Sequence, residues 1–242
     1  MIRNAVTTVE TTAIPFQTAA DSFNFNFDVD PLSLYGTSGN DNLTAKSGGT
    51  AAHASHTYGG EGNDTITGSS GYDKMYGGEG NDLIDAQGGH DTLSGGEGND
   101  ILWGGGDFDV LQGGNGNDWL AADSMSKGSV LDGGKGSDTL VGSHMGATVN
   151  GGEGNDFLVT SWAANGAGES HYNGGSGWDV LSLPSTWNVT DQMKEAWITQ
   201  DGNGEYVLHW FDHGSQEQTD FVSGIEQFNI HGTLYTFDQL LV

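Results

Sequence analysis

Aspartate returns at a fixed place in a nine-residue period. Twelve segments align, starting at residues 36, 59, 68, 77, 86, 95, 104, 113, 133, 142, 151 and 174; the seven covering 59–121 follow one another without a gap. The sixth position is Asp in every segment except the one from Gly142: Asp41, Asp64, Asp73, Asp82, Asp91, Asp100, Asp109, Asp118, Asp138, Asp156 and Asp179. The eighth is always apolar, as at Ile66, Leu93, Leu102 and Leu140. Carboxylates brought close together repel one another unless a cation lies between them. With Cys at 0 and His scattered, the donors are hard oxygens, which suit Ca²⁺ and its six to eight oxygen ligands better than a soft metal. No HxH or HExxH spacing supports zinc, and no GxSxG or other nucleophile–base constellation supports an enzyme.

The elements that must carry these carboxylates are legible within one segment. Six glycine-rich residues form a turn, because Gly adopts positive φ without steric cost. Three residues then form a short strand whose middle side chain faces inward. One segment is therefore half a coil, and two return the chain to its starting edge. Coils stack about 4.8 Å apart. Neither part is stable alone, so several repeats are needed.

Composition narrows the field. Asp+Glu is 33 against Lys+Arg 6, a formal net charge of -27, which argues against a nucleic-acid or anionic-membrane surface. No run approaches the roughly 18 apolar residues of a membrane span. Residues 1–21 are a poor secretory signal, since Thr and Glu interrupt any apolar stretch. Phe at 10, Tyr at 7 and Trp at 7 argue against plain disorder.

Segments such as GGEGNDTIT (59–67), GGEGNDLID (77–85) and GGEGNDILW (95–103) resemble the GGxGxDxUx nonapeptides of RTX (repeats-in-toxin) proteins. The resemblance spans residues 36–182. It implies an all-β fold, a right-handed parallel β-roll or calcium-bound β-solenoid. Several Ca²⁺ ions would lie between stacked turns, each held by sixth-position Asp residues of neighbouring turns and by backbone carbonyls. It also implies export by type I secretion and an extracellular location, secreted or attached to the cell surface.

Strict GGxGxD turns alternate with relaxed ones in the gap-free stretch, so the two kinds lie on opposite edges. Inserts at 45–58, 122–132 and 160–173 each read as a half-coil with a swollen turn, which keeps the later strict turns on the first edge. The expected ladder on that edge is Asp41, Asp64, Asp82, Asp100, Asp118, Asp138, Asp156 and Asp179, with up to seven gaps between its eight turns. The second edge offers Asp73, Asp91 and Asp109, enough for two more ions and about nine in all. Nine divalent ions would offset 18 of the 27 net negative charges. That second edge is otherwise irregular and carries His53, His56, Tyr72, His90, Phe108, His144, Trp162 and His171.

The two sheets differ as well. Outward positions after strict turns include Leu83, Ile101, Trp103, Trp119, Val141, Phe157, Val159 and Val180; after relaxed turns they include Lys74, Tyr76, Thr92, Ser94, Gln112, Asp132, Thr148 and Asn150. An apolar stripe of this length calls for a cover. The C-terminal segment ranks first, then the N-terminal strand, then another subunit, which would make the chain a homo-oligomer through Leu83, Ile101, Trp103, Trp119 and Phe157.

Three regions result: 1–35, an N-terminal segment with a capping strand at 22–30 (Phe23, Phe25, Phe27 and Val29 alternating with polar residues); 36–182, the roll; and 183–242, a β-rich cap ending in DQLLV, which resembles a type I secretion signal. Strand-like runs in the cap fall at 196–199, 206–211, 227–230 and 234–237, with a hairpin turn at Asp201-Gly202-Asn203-Gly204. The expected function is that of a secreted, non-enzymatic, calcium-binding roll that folds on meeting extracellular calcium, with a structural or interaction role at the cell surface or in the matrix. The alternative is a calcium-dependent module that binds polysaccharide.

Overall fold

A computed structural model describes residues 33–45, 54–123, 127–143, 145–160, 168–183, 196–211, 217–230 and 232–242. The capping strand expected at 22–30 lies outside the described residues, as do His53, His144 and Trp162. Among the described residues two sheets stack face to face as a parallel β-roll, and the strands counted below are theirs. The wider one has 11 strands, in spatial order Ser33–Tyr35, Ser55–Glu61, Asp73–Glu79, Thr92–Glu97, Val110–Asn115, Val130–Lys135, Thr148–Glu153, Ser170–Ser176, Glu217–Ser223, Tyr206–Phe211 and Trp197–Gln200. The narrower has ten: Asn42–Thr44, Thr65–Thr67, Leu83–Asp85, Ile101–Trp103, Trp119–Ala121, Thr139–Val141, Phe157–Val159, Val180–Ser182, Gln227–Ile230 and Thr233–Thr236. The chain alternates between them, and neighbours pair in parallel register, for example Leu83↔Ile101 and Lys74↔Thr92. Each insert ends in a strand of the wide sheet, so every strict turn lies on one edge.

A three-residue strand has one inward side chain, and the eighth position supplies it. Ile66, Ile84, Leu102, Leu120, Leu140, Leu158 and Leu181 come from the narrow sheet; Met75, Leu93, Leu111, Leu131, Val149 and Tyr172 come from the wide one. All are at most 2% exposed. The core is thus two files of side chains pressed together. Each coil contributes two, and complete burial of one such residue is worth about 1.5–3 kcal/mol. The second and fourth residues of strict turns have positive φ, as at Gly96 (+117°) and Gly98 (+124°). A methyl group on Gly96 would also collide with the carbonyl oxygen of Gly78 one coil below. Strain and collision together explain why the turn repeats glycine there.

The stack is longer than the repeat. Ser33–Tyr35 already pairs with the wide sheet, through Leu34↔Thr57. Beyond the last nonapeptide, Glu217–Ser223 joins the wide sheet in parallel and Gln227–Ile230 joins the narrow one. Both sheets then turn antiparallel: Tyr206–Phe211 pairs with Glu217–Ser223 and with Trp197–Gln200, and Thr233–Thr236 pairs with Gln227–Ile230. A single helical turn, Phe237–Leu240, follows where the sequence suggested that the strand would run on to Phe237. Its Leu240 belongs to the same buried cluster as Ile198, Leu208, Trp210, Val222, Ile225 and Phe228, which continues the core into the cap.

This arrangement corrects one expectation. The described C-terminal strands extend the sheets end to end and do not lie across the apolar stripe. Ile101, Trp103 and Phe157 remain exposed at 37–39%, while Leu83, Trp119, Val141, Val159 and Val180 are half-buried by their own neighbours. The reason is geometric: the cap carries its own inward file, so it satisfies the open end of the core and both terminal sheet edges at once.

Leu102→Ala should lower the stability of the calcium-loaded protein by about 2–5 kcal/mol, read as a shift of the urea midpoint in excess calcium. A loss under about 1 kcal/mol would mean that the inward file does not carry the fold.

Candidate metal centre

The strict turns place their aspartates in one column. In each, Oδ1 accepts the backbone N–H of the Asp one coil earlier, at 2.7–2.9 Å. The bonds run from Asp41 N–H to Asp64, then on through Asp82, Asp100, Asp118, Asp138 and Asp156 to Asp179. The structure thus brings together all eight aspartates expected on that edge. A second ladder runs the other way. The fifth-position N–H of one coil donates to the Asn Oδ1 of the coil before, at 2.6–2.9 Å, through Asn40, Asn63, Asn81, Asn99, Asn117 and Asn155. These asparagines were not singled out from the sequence. Their recurrence in GGEGND was the available signal, and adjacent turns are zipped by both ladders.

The second carboxylate oxygen is the chemically significant one. Oδ2 of Asp64, Asp82, Asp100, Asp118, Asp138, Asp156 and Asp179 is buried and has no hydrogen-bond partner. These seven residues are at most 3% exposed. A methyl group on Gly59 would strike both Oδ2 of Asp64 and the carbonyl oxygen of Gly77, so the two oxygens face the same glycine. The same pairing recurs at Gly77, Gly95, Gly113, Gly133 and Gly151, each with its own Asp and the first glycine of the next coil. Every gap in that run therefore presents one carboxylate oxygen and one carbonyl oxygen together. Leaving a charged oxygen buried and unpaired is costly. Hard oxygens of this kind are what Ca²⁺ takes as ligands. Among the described residues no three His, Asp or Glu side chains converge on one point, so the backbone carbonyls of stacked turns are a necessary part of any such site.

Asp41 differs from the rest of its column. It is half-buried, and its Oδ2 accepts both the backbone N–H and the hydroxyl of Thr37, at 2.6 and 2.9 Å. Thr37 stands where other turns have their second glycine. On the second edge Ser69 does the same for Oδ2 of Asp73, at 2.7 and 3.0 Å, leaving Oδ1 of Asp73 as its partnerless oxygen. Asp73 N–H donates to Asp91 and Asp91 N–H to Asp109, at 2.8 and 2.9 Å, and Oδ2 of Asp91 and of Asp109 has no partner. The column then changes chemistry: Asp109 N–H donates to the Ser129 hydroxyl at 3.1 Å, and Ala147 stands at the next rung. The second edge therefore offers three consecutive carboxylates and no more until Asp220. That residue accepts the Trp210 indole N–H at 2.8 Å and the Ser170 N–H at 3.2 Å. Of the irregular residues expected there, Tyr72 stacks on His90 at 5.3 Å between centroids and His90 meets Phe108 at a tilt at 6.1 Å, whereas His56 and His171 sit on strands of the wide sheet.

Burial pushes the ladder carboxyls upward. Asp100 rises to about 7, Asp138 and Asp156 to about 6, and Asp64, Asp82, Asp118 and Asp179 rise too. On the second edge Asp91 reaches about 7 and Asp109 about 8. Desolvation is the main cause and the N–H of the neighbouring rung partly offsets it. For all of these except Asp118, a nearby carboxylate adds to the rise. At about 4.8 Å spacing and an effective dielectric near 20, two such charges repel by on the order of 3 kcal/mol. A few pairs would outweigh the roughly 5–15 kcal/mol that holds an ordinary domain. The carboxylates in this column must be protonated or matched by cations.

With this geometry in view, the comparison with known families is direct. The RTX calcium-binding nonapeptide repeat, described in blocks of four copies, matches residues 33–49, 58–93, 94–124, 129–143 and 148–163. The chain belongs to the RTX calcium-binding nonapeptide-repeat family. Its repeats make a calcium-binding β-roll, a structural module and not a catalytic one. Comparison with curated proteins gives no match.

The pH dependence follows with a definite sign. Unfolded Asp releases its proton near 4, whereas Asp100, Asp138 and Asp156 in the roll hold theirs to about 6–7. Between those values the folded state binds more protons, so its metal-free stability is greatest below pH 4 and is lost as pH rises from about 4 to about 7. In EDTA, strand content measured by circular dichroism should increase when pH is lowered from 8 to 5. A decrease would contradict the raised carboxyls.

Proposed function

We propose that this chain is a secreted protein whose roll forms when it meets extracellular calcium, and which then acts as a rigid structural or interaction element at the cell surface or in the matrix. The observation that carries the proposal is the column of buried Oδ2 atoms without partners on Asp64 through Asp179. In this reading those seven aspartates, with Asp73, Asp91 and Asp109 on the second edge, hold the ions, and Asp41 contributes less because Thr37 occupies its Oδ2. Extracellular calcium modules work with Kd of about 10⁻⁴–10⁻³ M, so cytosolic calcium would leave the chain unfolded and fit for export. Binding to the folded state alone then couples folding to metal. Among the described residues no helix is long and apolar enough to cross a membrane. Leu240, within the C-terminal run that resembles a secretion signal, is buried in the cap, which fits an order of events in which export precedes folding.

A partner would meet one of two outer faces. The narrow sheet offers the apolar stripe, which includes Trp103 and Trp119 in edge contact at 5.6 Å; a second copy of the chain, ranked third from the sequence, is an occupant that the exposure of Ile101, Trp103 and Phe157 supports. The wide sheet carries a groove of about 610 Å³, floored by Gly78, Gly96, Gly114, Gly134 and Gly152 and walled by polar side chains such as Asn115, Lys135, Asp132 and Asn150. That groove favours the alternative reading, a calcium-dependent module for an extended polysaccharide.

The coupled-folding proposal predicts that EDTA removes the strand signal at pH 7.5 and that millimolar calcium restores it, while magnesium does not. Circular dichroism unchanged by chelation would contradict it.

A further inference from the structure

The aspartate ladder does not end at the last nonapeptide. Asp179 N–H donates to a carboxylate 47 residues further on, Oε2 of Glu226, at 2.7 Å. Every earlier rung makes this same bond to the Asp of the next coil. The register agrees: Val180 pairs with Gln227, so Glu226 stands opposite Asp179 as Asp179 stands opposite Asp156. Gln227 N–H also returns to the Asp179 carbonyl at 3.1 Å, the bond that Val180 N–H makes to Asp156.

The carbonyl oxygen needed for a gap is present as well. On the wide sheet Asn173 pairs with Ser223, which sets Gly224 beside Gly174. A methyl group on Gly174 would strike both Oδ2 of Asp179 and the carbonyl oxygen of Gly224, the pairing seen at each glycine from Gly59 to Gly151. Asp179 is fully buried, and its Oδ2 has no hydrogen-bond partner. The link from Gly224 to Glu226 takes three residues where Gly174 to Asp179 takes six. A side chain one methylene longer than Asp stands at the end of that shortened turn.

We propose that Asp179, Glu226 and the Gly224 carbonyl form a further calcium site between the last repeat and the C-terminal cap, outside the nonapeptide array. It deepens the calcium-dependent reading above and rests on it. Its oxygens come from both sides of the junction, one carboxylate from the repeat and one carboxylate and one carbonyl from the cap. The ion bound there does more than add a rung. It fastens the strands Glu217–Ser223 and Gln227–Ile230 onto the roll, so docking of the cap is itself calcium-dependent.

Native mass spectrometry of the full chain saturated with calcium tests this, because it counts ions singly. Glu226→Gln keeps an oxygen that can accept the Asp179 N–H but removes the charge, so a purely hydrogen-bonding role would survive it. The expected result is one calcium fewer than wild type, together with faster hydrogen exchange in Gln227–Ile230 and unchanged exchange in Ile101–Trp103 and Trp119–Ala121. Equal ion counts in wild type and E226Q would overturn this site alone. A wild-type chain that takes up no calcium would overturn the underlying reading and this site with it. If E226Q does not fold, a calcium titration of the wild type decides: protection of Gln227–Ile230 that trails that of Ile101–Trp103 and needs further calcium supports the site, and protection that does not trail it overturns the site.

Discussion

Repulsion between stacked, buried carboxylates governs this molecule. The backbone alone would make an unexceptional ladder of short parallel strands with two files of aliphatic side chains between them. What sets it apart is that one edge repeats an aspartate on every coil, nearly inaccessible to water from Asp64 to Asp179. One oxygen of each is used to zip adjacent coils, and the other is turned beneath its own turn toward the first glycine. A hydrogen bond on Oδ1 holds the carboxylate in place but does little for the charge on Oδ2. The fold therefore depends on a second component, a proton or a cation, that the sequence itself does not supply.

The glycines serve that arrangement. Side chains at Gly59, Gly77 or Gly95 would occupy the space where a carboxylate and a carbonyl oxygen meet. Elsewhere the same molecule shows how a carboxylate oxygen is satisfied by hydrogen bonds. Thr37 and Ser69 donate two hydrogen bonds each to Asp41 and Asp73, and Trp210 and Ser170 donate to Asp220. Such donors lie at the start of each aspartate column or in the cap, and Oδ2 of Asp64 through Asp179 on the strict edge has none. Each column thus begins at a carboxylate whose Oδ2 takes two hydrogen bonds and continues through partnerless oxygens, which is the pattern expected if cations occupy the gaps that follow.

Much of this was legible because the period is strict. Asp100 and Leu102 are six and eight residues into a segment that repeats nearly unchanged, so turn, strand, inward face and edge all follow from spacing. Alternation of strict and relaxed turns separated the two edges, and reading the inserts as half-coils preserved that separation up to Asp179. The pattern is silent where the same geometry is built from different residues. Ser33–Tyr35 has no glycine turn before it, so its membership of the wide sheet is a matter of pairing with Ser55–Glu61. Glu217–Ser223 is separated from its neighbour Ser170–Ser176 by a hairpin that is later in space but earlier in sequence. Glu226 ends a turn of different length with a different acid. The described cap strands leave Trp103 and Phe157 uncovered for a related reason: their apolar residues were read as partners for an outer face, but they continue the inner one.

The most direct test of the central claim is an anomalous difference map from crystals grown in calcium, recorded at a long wavelength. The account predicts a row of peaks along the strict edge, one between each pair of successive turns from Gly59 to Gly174, with each peak touching an aspartate Oδ2 and a glycine carbonyl. Featureless density at those positions in an ordered roll, with the aspartates still charged, would contradict it.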